Sequence, residues 1–118
     1  MDKEAFVRAI RLRVEDAAAT GMVAELTRPP GRRPRERDKR LAAWFNKLPT
    51  SDRENVEAVI GRTANAAVFH FLCVLDGVAA IEDFPKGRLE LLYRKGQRSI
   101  PLNDENGDYL HDMMPNAR

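Results

Sequence analysis

Three residues that can carry chemistry recur at intervals of three along one predicted helix: His70, Cys73 and Asp76. Residues three apart on a helix are surface neighbours, so this spacing could pair a thiolate nucleophile with a histidine base or supply half of a metal site. A zinc site needs about four ligands, and Cys73 is the only cysteine in the sequence. The thiol also stands among Phe, Leu and Val side chains, which raise a thiol pKa. We interpret the three as packing residues and predict no catalytic residue.

A second polar group lies near the C-terminus, where Asp108 stands about one helical turn before the adjacent His111 and Asp112. Two carboxylates and an imidazole could hold a divalent metal, although the pattern is common at solvated helix ends. The neighbouring acidic loop, residues 104–108, lacks the acids that an EF-hand loop needs at its first and last positions. We predict no metal or cofactor, with a metal at these three residues left as an alternative.

The segment 28–40 departs furthest from an ordinary composition, with seven basic and two acidic residues in a chain of net charge +2. Its side chains could bind the phosphates of RNA or DNA, or an acidic protein surface. Because Pro29, Pro30 and Pro34 exclude regular structure from its first half, it is also typical of a solvated linker, which we predict to be mobile over about residues 27–36. The candidate anion-binding residues are Arg28, Arg32, Arg33, Arg35, Arg37, Lys39 and Arg40.

Helices are the main elements that would position these residues. Apolar residues spaced three and four apart predict a first helix over about residues 2–20, which Gly21 would end. A short apolar continuation over 22–26 precedes the two prolines that stop any helix. The same spacing predicts a second helix that begins inside the basic segment and runs to about Leu48.

A third helix has the clearest start signal, because Ser51 and Glu54 form a capping-box pattern. From residue 66 to 75 this helix is apolar on almost every side, which is typical of a helix buried on all sides. The longest apolar run, residues 64–81, has the length of a membrane span but is interrupted by polar and charged residues, among them Asp76. We predict the central helix of a soluble core, which either ends near Asp76 and Gly77 or continues to Ile81.

Alternation of apolar and charged residues over 88–94 predicts a half-buried strand, and residues 99–102 its return strand after a turn at Gly96. Asp108 is predicted to cap a short last helix over 109–114. The predicted fold is α+β and mainly helical. It has three to four helices around a central buried helix, with one C-terminal β-hairpin, in a single domain.

The C-terminal half resembles small uncharacterised bacterial domains, some of which are similar to immunity proteins that neutralise a partner toxin. The resemblance is carried by residues 69–77, 89–93, 102–104 and 109–112. It implies a protein-binding function and assigns no functional residue. The N-terminal half, with the basic segment, takes no part in the resemblance.

Composition bears on the number of domains, the solubility and the location of the protein. The 118 residues are 43% hydrophobic and 32% charged, which suits one soluble domain. The first residues show no basic and apolar leader, and one cysteine permits no intrachain disulfide, so we predict a cytoplasmic protein. No glycine-rich phosphate loop or nucleophile elbow is present.

The leading hypothesis is therefore a non-enzymatic protein-binding domain of immunity or adaptor type. A nucleic-acid-associated protein that uses residues 28–40 is the alternative. Because an isolated two-stranded hairpin is marginally stable, we also expect that its apolar side is covered, for which a homodimer is one solution.

Overall fold

The computed structural model describes residues 1–84 and 87–116, which form a mainly helical α+β fold with a C-terminal hairpin. The predicted fold class is confirmed. The elements are α1 (Lys3–Ile10), a π-helical segment (Arg11–Asp16), α2 (Ala17–Thr27), α3 (Glu36–Lys47), α4 (Thr50–Leu75), β1 (Leu92–Lys95), β2 (Arg98–Pro101) and a 3₁₀ helix (His111–Asn116).

The first three segments follow one another without a break and form one N-terminal helix. Asp2 caps its start, because its side chain accepts a hydrogen bond of 2.8 Å from the backbone N–H of Ala5. The prediction that Gly21 ends this helix is wrong, since the helix continues to Thr27. A glycine inside a helix costs about 0.5–1 kcal/mol, whereas burial of an apolar side chain such as Leu26 contributes about 1.5–3 kcal/mol. Packing beyond Gly21 therefore outweighs the local preference.

α3 begins inside the basic segment, which confirms the predicted second helix. Residues 28–35 connect it to α2 without helix or strand. Ala42 and Phe45 are the buried residues of α3, and the side chain of Asn46 donates a hydrogen bond of 3.1 Å to the backbone carbonyl of Thr27. These contacts place the start of the basic segment at the turn between two packed helices.

The start of α4 differs from the predicted one. The helix begins at Thr50, directly after Pro49, and has no side-chain cap. Ser51 therefore lies inside the helix, and the capping box that it was predicted to form with Glu54 is wrong. Proline provides the boundary instead, because its fixed φ and missing N–H suit the position just before a helix.

The burial of α4 also differs from the predicted pattern. Along its whole described length only Val68 and Leu72 are buried, while Val59 is 63% and Phe71 60% exposed. The N-terminal helix packs along one side of α4, and the other side faces solvent. The prediction of a helix buried on all sides is therefore wrong. An apolar sequence shows that a helix prefers burial, but not that its own chain supplies enough partners.

The core joins both ends of the chain. Val7 from α1 packs with Val68 and Leu72 from α4 and with Leu110 and Met114 from the C-terminal segment. The molecule extends 50 × 35 × 29 Å with a radius of gyration of 18.2 Å. A compact domain of this length has a radius of about 13–14 Å. The chain is therefore elongated around a small core.

The two strands pair antiparallel, with Tyr93 opposite Ile100, and Gly96 occupies their turn at a φ of +63°. The hairpin is confirmed, but β1 begins at Leu92 rather than at residue 88. Residues 88–91 form no strand: the carbonyl of Leu91 accepts a backbone hydrogen bond of 2.8 Å from Leu102, and a side chain provides further contacts to this segment.

That side chain is the buried amide of Asn103. Its Nδ2 donates hydrogen bonds to the carbonyls of Leu75 at 2.7 Å and Leu89 at 2.9 Å, and its Oδ1 accepts one from the N–H of Leu91 at 2.8 Å. One amide thus replaces part of the expected strand ladder and ties the hairpin to the end of α4.

Candidate functional site

The C-terminal end of α4 carries a polar cluster centred on Asp76. One carboxylate oxygen accepts a hydrogen bond of 2.9 Å from the N–H of Leu110, and the other accepts one of 2.9 Å from the N–H of His111. The second oxygen also lies 2.7 Å from Nδ1 of His111. A carboxylate only accepts hydrogen bonds, so Nδ1 carries the proton. Asp76 therefore caps the last helix, and the prediction that Asp108 does so is wrong.

The imidazole of His111 contacts two aromatic rings and two carboxylates. Tyr109 stacks on it with ring centroids 5.4 Å apart, and Phe69 meets it edge-on at 5.5 Å. Its Nε2 lies 3.3 Å from a carboxylate oxygen of Asp112. A carboxylate that orients a histidine in this way occurs in catalytic triads, which also require an activated nucleophile. The sequence analysis placed Asp76 in a row with His70 and Cys73, whereas the histidine that contacts Asp76 is His111, which folding brings to it from the far end of the chain.

Removal of the Asp76 carboxylate should release the C-terminal segment. We expect Asp76→Ala to lower the free energy of unfolding by about 2–4 kcal/mol, because two backbone N–H groups and an imidazole N–H lose their acceptor at a side chain only 3% exposed. Urea denaturation checks the loss, and faster hydrogen exchange at Leu110 and His111 would locate it. Asp112→Ala, at a largely exposed carboxylate, is the control and should change stability by at most about 0.5 kcal/mol. Equal effects of the two substitutions would contradict this role of Asp76.

Cys73 lies one turn before Asp76 and is half-buried. Burial raises the pKa of its thiol, and the negative charges of Asp76 and Asp112 raise it further. A nucleophilic cysteine needs the opposite change, towards the thiolate. His70, the third member of the predicted trio, is exposed, and its ring meets Phe69 edge-on. The trio does not form an activated nucleophile.

A thiol with a raised pKa should react slowly. We expect a maleimide or disulfide reagent to label Cys73 in the folded protein at pH 7 at least about tenfold more slowly than in the urea-unfolded chain. The rate should continue to rise at a pH where the unfolded thiol has already titrated, because the pKa of Cys73 is raised in the folded state. Rapid labelling of the folded protein at neutral pH would contradict the packing role.

The other predicted polar groups are dispersed. Asp108 is exposed, while His111 and Asp112 belong to the cluster around Asp76. The part of the chain that the structure describes contains no group of three or more His, Cys, Asp or Glu residues able to hold a metal ion. Asp104 pairs with Lys3 at 2.8 Å, and the hydrogen bond from Lys3 lowers the pKa of that carboxyl. This loop thus binds the N-terminus of the chain.

The cationic side chains of the basic segment, residues 28–40, face solvent. Its seven cationic residues are all exposed, and Lys39 lies 3.3 Å from Glu36 in the first turn of α3. Four of them precede α3 and three lie within it, so the structure distributes them between a connection and a helix. The candidate residues are Arg28, Arg32, Arg33, Arg35, Arg37, Lys39 and Arg40.

The largest unexplained feature is the solvent side of α4. From Thr63 to Leu75 this helix contains no charged residue, although 32% of the whole chain is charged. At 100° per residue, Val59 and Ala66 lie roughly 160–180° around the helix axis from the buried Val68. We name as the outer face of α4 the exposed residues Val59, Thr63, Ala66, Ala67, His70 and Phe71.

The total accessible surface of the chain is larger than that of a compact monomer. Its accessible surface is 9068 Å². A folded monomer of 13.4 kDa exposes about 6,500 Å². The excess is about 2,600 Å², and large apolar residues contribute to it along α4 and beyond, with Phe84 as the most exposed. The chain therefore exposes more surface than a compact monomer of its mass, and several large apolar side chains are part of that surface.

Two further findings bear on this surface. Among the described residues α4 is the one helix that is long and apolar enough to cross a membrane by length and composition, and 11% of its most apolar window is buried. In comparisons with known proteins, no family model, curated protein or solved structure matched the chain.

Proposed function

We propose that the chain is a non-enzymatic protein-binding domain, of immunity or adaptor type, that acts in the cytoplasm and binds through the outer face of α4. The observation that carries the proposal is a stretch of helix without charge, Thr63 to Leu75, half of which faces solvent. Exposed helix surfaces of soluble monomers carry polar and charged residues, because water solvates them. A face that lacks them is stabilised when another macromolecule covers it.

The polar clusters support a binding role over an enzymatic one. Asp76 uses both of its oxygens to hold the C-terminal segment, and His111 is enclosed by two rings and two carboxylates. Cys73, the nucleophile nearest to them in sequence, has a raised thiol pKa. The resemblance of the C-terminal half to immunity-type domains favours the same class of function.

Site-specific photo-crosslinking in the native host tests the proposal. A photoreactive amino acid at position 71, on the outer face of α4, should form protein adducts that mass spectrometry identifies. The same probe at Gln97, in the turn of the hairpin and also exposed, is the control and should form few. Similar adducts from the two positions, or none from position 71, would refute binding through the outer face of α4.

Nucleic-acid binding is the second candidate, and the observation that favours it is the exposure of all seven basic side chains of segment 28–40. If they bind phosphates, reversal of Arg32, Arg33 and Arg35 to Glu should abolish binding to generic RNA or DNA at low salt without lowering the melting temperature, because none of the three is buried. Fluorescence anisotropy over a range of salt concentrations measures the effect. Wild-type binding that is undetectable at 50 mM salt would exclude this function.

A further inference from the structure

We infer that the tip of the β-hairpin, formed by β1 and β2, binds the phosphate backbone of duplex DNA. The inference rests on nucleic-acid binding, the second candidate function, and adds to it a contact outside the basic segment. Three properties of the described residues carry it: the charge of the hairpin, the opposition of like charges across its strands, and its exposed two-stranded shape.

The hairpin carries positive charge only. Between Glu90 and Asp104 the sequence contains the cations Arg94, Lys95 and Arg98 and no acid. The basic segment has seven cations and two acids, whereas all residues outside these two regions have ten cations and sixteen acids. The excess of positive charge is therefore confined to the basic segment and the hairpin.

The fold makes no use of the three hairpin cations. All three are exposed, and within the part of the chain that the structure describes none of them forms an ion pair. The acids nearby in the C-terminal loop pair with other cations, Asp104 with Lys3 at 2.8 Å and Glu105 with Arg88 at 3.0 Å. The hairpin cations are therefore available to an external anion.

The strand register places like charges opposite each other. Lys95 lies directly opposite Arg98, and Arg94 lies opposite Ser99 on the other face of the hairpin. Directly opposite residues have Cβ atoms about 4.5–5.5 Å apart, and like charges at this distance destabilise a sheet. A bound phosphate between Lys95 and Arg98 would remove this repulsion.

The hairpin has the dimensions of a ribbon that enters a DNA groove. Each strand has four residues and is about 13 Å long, and the two strands lie about 4.8 Å apart. The major groove of B-DNA is about 12 Å wide and 8.5 Å deep, and it admits a two-stranded ribbon. The three cations lie within two residues of Gly96 in the turn, so the tip carries them. The narrow major groove of duplex RNA excludes such an element, which favours DNA.

The hairpin and the start of the basic segment lie at opposite ends of α4. Asn103 ties the hairpin to the carbonyl of Leu75, the last residue of α4. The basic segment follows Thr27, which Asn46 contacts just before α4 begins. The 26 residues of α4 span about 39 Å. Because substitutions at distant sites act independently, the contributions of the two regions can be measured separately.

Fluorescence anisotropy of a short labelled DNA duplex with the full-length chain at low salt tests the inference. We expect the triple variant Arg94→Glu, Lys95→Glu, Arg98→Glu to bind at least about tenfold more weakly, with an unchanged melting temperature because all three residues are exposed. The matched control reverses three exposed cations of the helices and has the same net charge, so it should weaken binding by at most about threefold: Arg8→Glu, Arg13→Glu, Arg62→Glu.

The salt dependence gives a second readout that does not require charge reversal. Each phosphate contact contributes about 0.9 to the slope of log affinity against log salt concentration, so replacing the three hairpin cations with Gln should lower the slope by about 2–3. Charges on an exposed strand also prevent edge-to-edge aggregation, and glutamates would serve that purpose equally. Unchanged DNA binding by the Glu variant, or an equal loss in the helix control, would overturn the inference.

The remaining outcomes separate the proposals. A wild type that does not bind the duplex would overturn both this inference and nucleic-acid binding, and would leave protein binding through α4 to the crosslinking experiment. Loss of binding only on reversal of Arg32, Arg33 and Arg35 would retain the basic segment and overturn the role of the hairpin. Flotation with phosphatidylserine vesicles that hairpin reversal abolishes, without DNA binding, would assign the tip to a lipid surface and also overturn the inference.

Discussion

Substitution Leu72→Ala should lower the free energy of unfolding by about 2–5 kcal/mol. Leu72 is fully buried in the cluster that joins α1, α4 and the C-terminal segment, together with Val7 and Leu110. The truncation removes apolar contacts and leaves a cavity that the surrounding helices fill only in part. Because the core is small, one side chain accounts for a large share of it. Chemical denaturation followed by circular dichroism measures the loss.

The control for this prediction is Leu12→Ala on the N-terminal helix. Leu12 is 59% exposed, so the same chemical change removes little buried surface and should cost at most about 0.5 kcal/mol. Alanine also favours a helix slightly more than leucine does. A loss at Leu12 equal to that at Leu72 would show that the core is placed wrongly.

Substitution Arg11→Met should be at least as damaging, with an expected loss of about 3–5 kcal/mol. The guanidinium of Arg11 forms two hydrogen bonds of 3.1 Å with the carboxylate of Glu15 and donates to the backbone carbonyl of Met114. Both side chains of the pair are about nine-tenths buried. Methionine fills a similar volume but leaves the Glu15 carboxylate without its cation in a region of low polarity.

The double variant Arg11→Met, Glu15→Leu separates charge from packing. If the damage arises from an uncompensated buried charge, removal of the carboxylate as well should recover more than half of the lost stability. Denaturation curves of the single and double variants form the required cycle. A double variant less stable than Arg11→Met would show that Glu15 contributes mainly through other contacts, such as the one with Asn65.

Local signals in the sequence were sufficient for several elements. The start of the first helix near residue 2, the start of α3 in the basic segment and the turn at Gly96 are each set by a few neighbouring residues. Of the two predicted ends of α4, the one near Asp76 is confirmed, and Gly77 adopts there a φ of +77° that other residues avoid. The direction of the Cys73 pKa shift also followed from its apolar neighbours.

Other features required contacts between distant parts of the chain. Asp76 meets His111 across 35 positions and Arg11 meets Met114 across 103, and no periodicity relates such pairs. In the sequence, Asn103 has the features of an ordinary loop residue. Only the folded structure places its amide between α4 and the hairpin. The cap of the last helix was predicted wrongly for this reason, since its acceptor, Asp76, comes from another element.

The sequence by itself determined which helix is apolar, and only the tertiary structure decided how much of that helix is covered. Hydrophobic pattern reports the transfer free energy of each side chain, which is a property of the residue. Burial depends on the surface that the remaining residues can supply. In this chain the N-terminal helix covers one side of α4, around Val68 and Leu72, and leaves Val59, Ala66 and Phe71 in solvent. The uncovered side follows from geometry and area, which residue types alone do not encode.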